Sequence, residues 1–153
     1  MNPWEPYLKV ALPRPTDADR ARLERLAGAS LPDLYWSLVS EHQGEVLDEE
    51  LVELPEGGFP LGVLLLASPP DKLSKSHASY CVETCLLLMR PSYPAGLFPF
   101  ADDTGGNYWA FDFRTNPGSP AVVFIDHEIE GEDGVTRKAD SLGAFMALVG
   151  APF

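Results

Sequence analysis

The sequence predicts an α+β fold in which helices pack on an antiparallel sheet. Three observations support this prediction. Two segments with helix-start signals come first, short runs with strand character fill the middle, and an apolar helical stripe lies near the end. The chain has 153 residues, no internal repeat and no linker, so we expect one domain over residues 1–153.

The N-terminal segment predicts an extended arm followed by a helix. Four prolines in residues 1–15 favour extended backbone. Thr16 is a good N-cap, and Asp19, three residues later, is at the position of a capping-box partner. Gly28 is the residue type that commonly ends a helix in the left-handed conformation.

A second helix and a final helix have similar boundary signals. Pro32, at a first-turn position, starts the second helix, and residues 42–44 end it. Its wide apolar face consists of Tyr35, Trp36, Leu38 and Val39. Asp140 or Ser141 caps the final helix, whose apolar stripe consists of Leu142, Phe145, Met146 and Val149.

The segment between the second helix and residue 90 is less regular. Residues 46–54 and 59–67 are predicted to be strands joined by a turn at 55–58. Residues 71–90 are predicted to contain a helix whose apolar positions are Val82, Cys85, Leu86 and Met89. The run 86–89 fits a strand as well, and periodicity alone does not decide between the two.

Four further strands are predicted at 97–100, 107–113, 121–125 and 135–138. In the second of these, Trp109, Phe111 and Phe113 alternate with smaller or polar residues, so one face of the strand is aromatic. We interpret Trp109, like Trp36, as a core residue, with a binding anchor as the alternative.

The charge balance argues against several classes of function. The chain has 11 Lys+Arg against 23 Asp+Glu, a formal net charge of -12. Such a surface repels nucleic-acid phosphates and anionic lipid, and it attracts basic proteins. There is no signal peptide and no apolar run of bilayer length, so we expect a cytoplasmic protein. Cys81 and Cys85 are interpreted as buried thiols, because their spacing suits neither a disulfide nor a zinc site.

Four segments, in this order and spacing, resemble one family. They are LPDLYW at 31–36 with Gly44, LFPFADD at 97–103, GNYWAFD at 106–112, and VVFIDHE at 122–128 with DSL at 140–142. Over about residues 20–149 the chain resembles the SUKH superfamily, which includes a yeast cell-wall assembly regulator and many bacterial immunity proteins. The resemblance implies a twisted, mainly antiparallel sheet with flanking helices. It also implies a role, since bacterial members neutralise polymorphic toxins by direct binding.

Two polar segments are candidates for a chemical site. The turn DDTGGN at 102–107 lacks the ligand spacing of a calcium loop and the lysine and helix of a phosphate loop. In DHE at 126–128, alternation along a strand would put His127 on the face opposite Asp126 and Glu128. No nucleophile motif is present in the sequence. We therefore interpret 102–107 as a turn between strands and 126–128 as the end of a strand, with contact to a protein partner as the alternative for both.

Together these observations predict a non-catalytic, cofactor-free and metal-free protein-binding domain. The favoured hypothesis is an immunity protein that binds a basic toxin domain through an acidic surface. The predicted contacts are Asp102, Asp103, Asp126, Glu128, Glu130 and Glu132. A stand-alone regulatory or scaffold protein of the same family is the alternative, and an enzyme or small-ligand binder is a third hypothesis. The segment 55–95 matches no motif of the family, so it is the place to look for features particular to this member.

Overall fold

The computed structural model describes residues 2–150. Residue 1 of the predicted arm and residues 151–153 of the predicted domain lie outside the described residues. In the described part the main helices and the four strands after residue 96 follow the predicted order, and the differences lie in the N-terminal arm and between residues 46 and 90. The helices are α1 (Asp17–Ala27), α2 (Asp33–His42), α3 (Lys75–Ala78), α4 (Val82–Met89) and α5 (Leu142–Leu148). The strands are β1 (Trp4–Pro6), β2 (Glu45–Leu47), β3 (Leu97–Asp102), β4 (Tyr108–Asp112), β5 (Ala121–Ile125) and β6 (Val135–Ala139).

Two antiparallel sheets carry the strands, so the predicted α+β fold class is confirmed. One sheet has four strands in the order β3-β4-β5-β6, each paired with its neighbour in the chain. The other pairs β1 with β2, and Trp4 lies opposite Leu47. The predicted N-terminal arm is therefore extended, but its residues 4–6 also form a strand.

The arm is anchored by Trp4, which the sequence interpretation did not single out. Its side chain is buried and stacks on the ring of His42, with the ring centroids 4.6 Å apart. The Nδ1 atom of His42 lies 2.9 Å from a carboxylate oxygen of Glu45. A large aromatic side chain stabilises a fold mainly through the area that it buries, so this contact ties the arm to α2 and β2.

The two N-terminal helices begin close to the predicted residues. The hydroxyl of Thr16 accepts a hydrogen bond from the Asp19 N–H at 3.1 Å, and the Asp19 carboxylate accepts one from the Thr16 N–H at 2.9 Å. Gly28 follows α1 with a φ of 69°. Pro32 is not in the first turn as predicted, because its ψ of 138° is extended and the helix starts at Asp33.

The two strands predicted between residues 46 and 67 are only partly correct. The first ends at Leu47, because Asp48 opens a turn in which its side chain accepts the Glu50 N–H at 2.9 Å. The second is extended and buried, yet it forms only isolated bridges at Leu64 and Leu66. Its successive residues hydrogen-bond to different neighbours, so no continuous ladder develops.

This extended segment, residues 61–67, joins the two sheets. On one side Leu64 donates its N–H to Glu45 at 3.0 Å and accepts the Gly44 N–H at 2.8 Å. On the other side Leu65 donates to Phe100 at 3.0 Å. The two sheets thus share one layer of backbone hydrogen bonds, with residues 61–67 between β2 and β3.

The helix predicted within residues 71–90 is interrupted. A short 3-10 turn (Pro70–Lys72) and α3 precede α4, which settles residues 82–89 as helix rather than strand. The interruption lies where the Leu66 backbone accepts the Val82 N–H and donates to the Tyr80 carbonyl, both at 2.9 Å. Those bonds hold Cys81 extended, with a ψ of 138°, so helical geometry cannot continue through it.

The main core lies between the aromatic face of the four-stranded sheet and helices α2 and α5. Trp109 is 4% exposed, which confirms it as a core residue, whereas Trp36 is half-buried beneath the Arg20 guanidinium. A smaller cluster covers the opposite face of the sheet and consists of Met89, Leu97, Ala110, Val123 and Ile125. The sheet is therefore packed on both faces.

Candidate functional site

Two loops meet at one end of the four-stranded sheet. The turn between β3 and β4 and the loop between β5 and β6 are linked through Asn107. Its side-chain oxygen accepts the His127 N–H at 2.9 Å and lies 2.6 Å from the His127 ring Nδ1. Its side-chain nitrogen donates to Asp103 at 2.8 Å. The six predicted contact residues lie in or beside these two loops, and among them Asp103 bonds directly to Asn107.

Asp102 is directed into the fold. One carboxylate oxygen accepts the Val63 N–H at 2.8 Å and the Thr104 N–H at 3.1 Å. Burial raises the pKa of this carboxyl, and the two N–H donors only partly offset that effect. Asp102 therefore joins the sheet end to residues 61–67, and little of its charge is available to a partner.

Asp103 holds the turn itself. Its carboxylate accepts the N–H groups of Gly105 at 2.8 Å and of Asn107 at 3.0 Å. Burial acts to raise the pKa of Asp103, but the hydrogen bonds from Asn107 and Gly105 outweigh it and hold the pKa below its usual range. The turn also contains Thr104 with a φ of 62°, an uncommon conformation for a non-glycine residue. These features confirm the interpretation of the segment as a turn.

Asp126 shapes the start of the β5–β6 loop. Its side chain accepts the Glu128 N–H at 2.9 Å, and its N–H donates to the Gly134 carbonyl at 2.8 Å. The Tyr93 hydroxyl donates to the Asp126 carbonyl. Further along, Gly131 donates to the Ser92 carbonyl at 2.7 Å, so the loop folds back over the segment before β3. The strand has ended at Asp126, and alternation no longer governs the residues that follow.

Glu132 is engaged in an internal ion pair. Arg114 contacts both of its carboxylate oxygens and also donates to Asp112 at 3.0 and 2.9 Å. Hydrogen bonds from Arg114 lower the pKa values of both carboxyls, and they raise the pKa of Arg114. Glu132 is thus held at the far end of β4 and away from the Asn107 network.

Glu128 and Glu130 are the predicted contacts that remain open to solvent. Both side chains are exposed, and neither pairs with a lysine or arginine within residues 2–150. Asp133, in the same loop, is exposed and similarly unpaired in that range. These carboxylates project from a loop whose backbone is fixed at Asp126, Gly131 and Gly134.

Further features of residues 2–150 bear on metal binding, thiol reactivity and membrane insertion. Across residues 2–150, no three His, Cys, Asp or Glu side chains are placed to hold a metal ion. Cys81 and Cys85 are free and buried, which confirms their interpretation, and burial raises their pKa values to about 12 and about 11. No helix in the described part of the chain is long and apolar enough to cross a bilayer.

One surface feature was not predicted from the sequence. A groove of about 480 Å³ lies between the segment 48–58 and the end of α5. Its lining residues are Leu47, Glu49, Val52, Glu53, Leu54, Pro60, Leu61 and Val149. The only local signal is the mixture of glutamates with leucine and valine in residues 49–54, within the segment 46–54 that the sequence predicts to be a strand.

Comparison with known proteins identifies the family. The family model described as the SMI1 / KNR4 family (SUKH-1) matches residues 14–148. The chain belongs to this family. No curated protein and no solved structure matches it. The SUKH family includes immunity proteins, its members often bind protein toxins, and it is generally non-catalytic.

Proposed function

We propose that this SUKH protein is a non-catalytic immunity protein of the cytoplasm that neutralises a cognate toxin by direct binding. The observation that carries the proposal is the uncompensated negative charge of a structured loop in a member of a toxin-binding family. Glu128 and Glu130 are exposed there, and the loop backbone that presents them is hydrogen-bonded into the fold.

The distribution of charge over the molecule supports a basic partner. Only eight of the 23 carboxylates form an ion pair with an arginine in the described part of the chain. Uncompensated surface charge raises the rate of encounter with an oppositely charged protein, and salt screens this effect. The partner that such a surface favours is a positively charged toxin domain.

Within the six predicted contacts we assign two different roles. Glu128 and Glu130 touch the partner, whereas Asp102, Asp103 and Asp126 hold the two loops in the conformation that presents them. Glu132 has the second role as well, because its ion pair with Arg114 holds the β5–β6 loop near the end of β4. This assignment follows from which carboxylates are already occupied by backbone N–H groups or by arginine.

The test starts with capture of the partner from the source organism by the tagged protein at low salt, with identification by mass spectrometry. We expect a basic toxin domain that is released as salt is added and whose growth inhibition is relieved by co-expression of this chain. If only housekeeping proteins are retained, the proposal is overturned and a regulatory or scaffold role replaces it.

A charge-reversal pair then tests the surface. The double variant Glu128→Lys/Glu130→Lys is expected to slow association with the captured toxin about tenfold at low salt. The matched control Glu5→Lys/Asp71→Lys makes the same change in net charge at exposed positions elsewhere. Equal association rates for the two variants would remove the β5–β6 loop from the interface.

A further inference from the structure

We propose that the groove between the segment 48–58 and α5 receives an aliphatic or aromatic side chain from a partner segment that carries lysine or arginine beside it. This inference rests on the proposed function, because it names what part of a protein partner the chain recognises. It adds a second contact surface that is distinct from the β5–β6 loop.

The walls of the groove are held by two close backbone approaches. A Cβ atom at Gly150 would lie 2.5 Å from the Glu53 carbonyl and 2.9 Å from Val52, and one at Gly58 would collide with the Leu148 carbonyl. Gly150 also has a φ of 71°, which side-chain-bearing residues rarely adopt. The segment 48–58 is thus pressed against the end of α5, and the groove exists before any partner binds.

The interior of the groove is apolar and reaches solvent. Leu47, Leu61 and Val149 form its buried part, and each is less than 10% exposed. Leu54 is 45% exposed and lines its open side, and the neighbouring Leu51 is also 45% exposed. Apolar surface that opens onto solvent at a preformed groove is typical of sites that receive an anchoring side chain.

The acidic residues around the groove favour a partner segment with basic residues beside the anchoring side chain. Residues 45–56 contain six acidic residues and no lysine or arginine, and the nearest basic residues in sequence are Arg25 and Lys72. Glu49 and Glu53 line the groove and are exposed, as are Glu50 and Glu56. None of these four pairs with a lysine or arginine within residues 2–150. An acidic segment is repelled here, and a basic segment with an apolar side chain is complementary.

The groove and the β3–β4 turn are neighbours. The Gly62 N–H, directly after the lining residue Leu61, donates to the Asp102 carbonyl at 2.9 Å. One partner that lies along this side of the molecule can therefore place an anchor in the groove and basic residues near the loops. Such division into an apolar anchor and surrounding charges is common in tight protein interfaces.

The experiment pans a random heptapeptide phage library on the immobilised protein. We expect enrichment of sequences that combine Leu, Ile, Phe or Trp with Lys or Arg. Retention of the enriched phage should fall about tenfold on a Glu53→Lys/Leu54→Asn variant. It should be unchanged on an Asp71→Lys/Leu88→Asn control, which alters an acidic residue and a leucine at exposed positions elsewhere.

Backbone amide shifts on titration with the enriched peptide should be confined to residues 47–61 and Val149. Absence of enrichment, enrichment of acidic or purely polar peptides, or equal loss with the control variant would overturn the inference. Binding that appears only after removal of residues 151–153 would also overturn it, because the end of this chain would then be the occupant.

Failure of the groove and failure of the proposed function have different signatures. If a toxin is captured and its binding resists Glu53→Lys/Leu54→Asn, the immunity role stands and the groove assignment is wrong. If basic, apolar peptides bind the groove but no toxin is captured, the groove stands and the immunity role is wrong.

Discussion

Asp102 and Asp103 are adjacent acidic residues in opposite electrostatic environments. Asp102 lies against residues 61–67, and burial raises its pKa, whereas Asp103 is held charged by hydrogen bonds from Gly105 and Asn107. A carboxyl with a raised folded pKa destabilises the fold when it ionises, and one with a lowered pKa stabilises it. Ionisation of an aspartate therefore destabilises the fold at residue 102 and stabilises it at residue 103.

These environments predict opposite pH dependences for two variants. Asp103→Asn should lose about 1 kcal/mol of unfolding free energy at pH 7, where the charged side chain accepts its strongest hydrogen bonds. That loss should begin to shrink as the pH falls to about 4, where the unfolded chain takes up the proton, and it should disappear only as the pH falls through the lower pKa of the folded carboxyl. Asp102→Asn should change stability little at pH 7, since its amide oxygen can still accept both N–H groups.

The measurement is urea unfolding of the wild type and both variants between pH 7 and pH 3. As the pH falls from 7 towards 4, the wild type should gain stability relative to Asp102→Asn, because protonation of a buried carboxyl favours the folded state. Parallel curves for the two variants would contradict the assignment of the two environments.

At the scale of single elements, α1 follows most directly from its own residues. The reciprocal hydrogen bonds between Thr16 and Asp19, and the left-handed Gly28 after the helix, all connect residues within one or two turns. Local signals of this kind are readable from sequence because they need no distant partner. The segment 46–54 is predicted to be a strand, yet the Asp48 turn and the contacts with the end of α5 leave only two of its residues in β-structure.

The capping box predicts a specific loss of stability. Thr16→Ala should lower the free energy of unfolding by about 1 kcal/mol, because the Asp19 N–H loses its acceptor. Thr16→Ser retains the hydroxyl and should remain within a few tenths of a kcal/mol of the wild type. Chemical unfolding of the three proteins measures the difference. A serine variant as unstable as the alanine variant would show that the threonine methyl group, and not the cap, stabilises the helix.

At the scale of the whole molecule, residues 61–67 connect the two sheets into one hydrogen-bonded layer. Gly44 bonds to this segment from the side of β2, and Leu65 bonds from it to Phe100 of β3. The segment is buried from Leu61 to Ser68. The β1–β2 pair alone is too short to be stable in water, so we attribute its presence to this connection.

This layer predicts that both sheets open in one cooperative event. In native-state hydrogen exchange, the amides of Gly44 and Leu65 should exchange with the same free energy of opening as the amides of β4. The Leu51 amide, which bonds within an exposed turn at 3.0 Å, should exchange at least about 100-fold faster. Opening of Gly44 at much lower free energy than β4 would mean that the arm and β2 form a separate unit, and the predicted single domain would be wrong.

Local chemistry was sufficient to predict the fold class, the order of the main helices and strands, and the turn at 102–107. Caps, glycine turns and period-two alternation act over a few residues, so a single sequence carries them. The buried thiols and the core position of Trp109 followed for the same reason, since both depend on a pattern of neighbours along one element.

Contacts between distant residues decided the rest, because no local pattern encodes which segments meet. The Asp102 carboxylate accepts a hydrogen bond from Val63, 39 residues away, and the Glu132 carboxylate pairs with Arg114, 18 residues away. Carboxylates that look alike in the sequence therefore differ in whether they are free to bind another molecule. The groove is assembled from residues 47–61 and Val149, which only the packing of α5 brings together. Charge and patterning thus predicted an acidic binding protein of α+β class, and tertiary packing determined which acidic side chains are open to solvent and where an apolar groove forms.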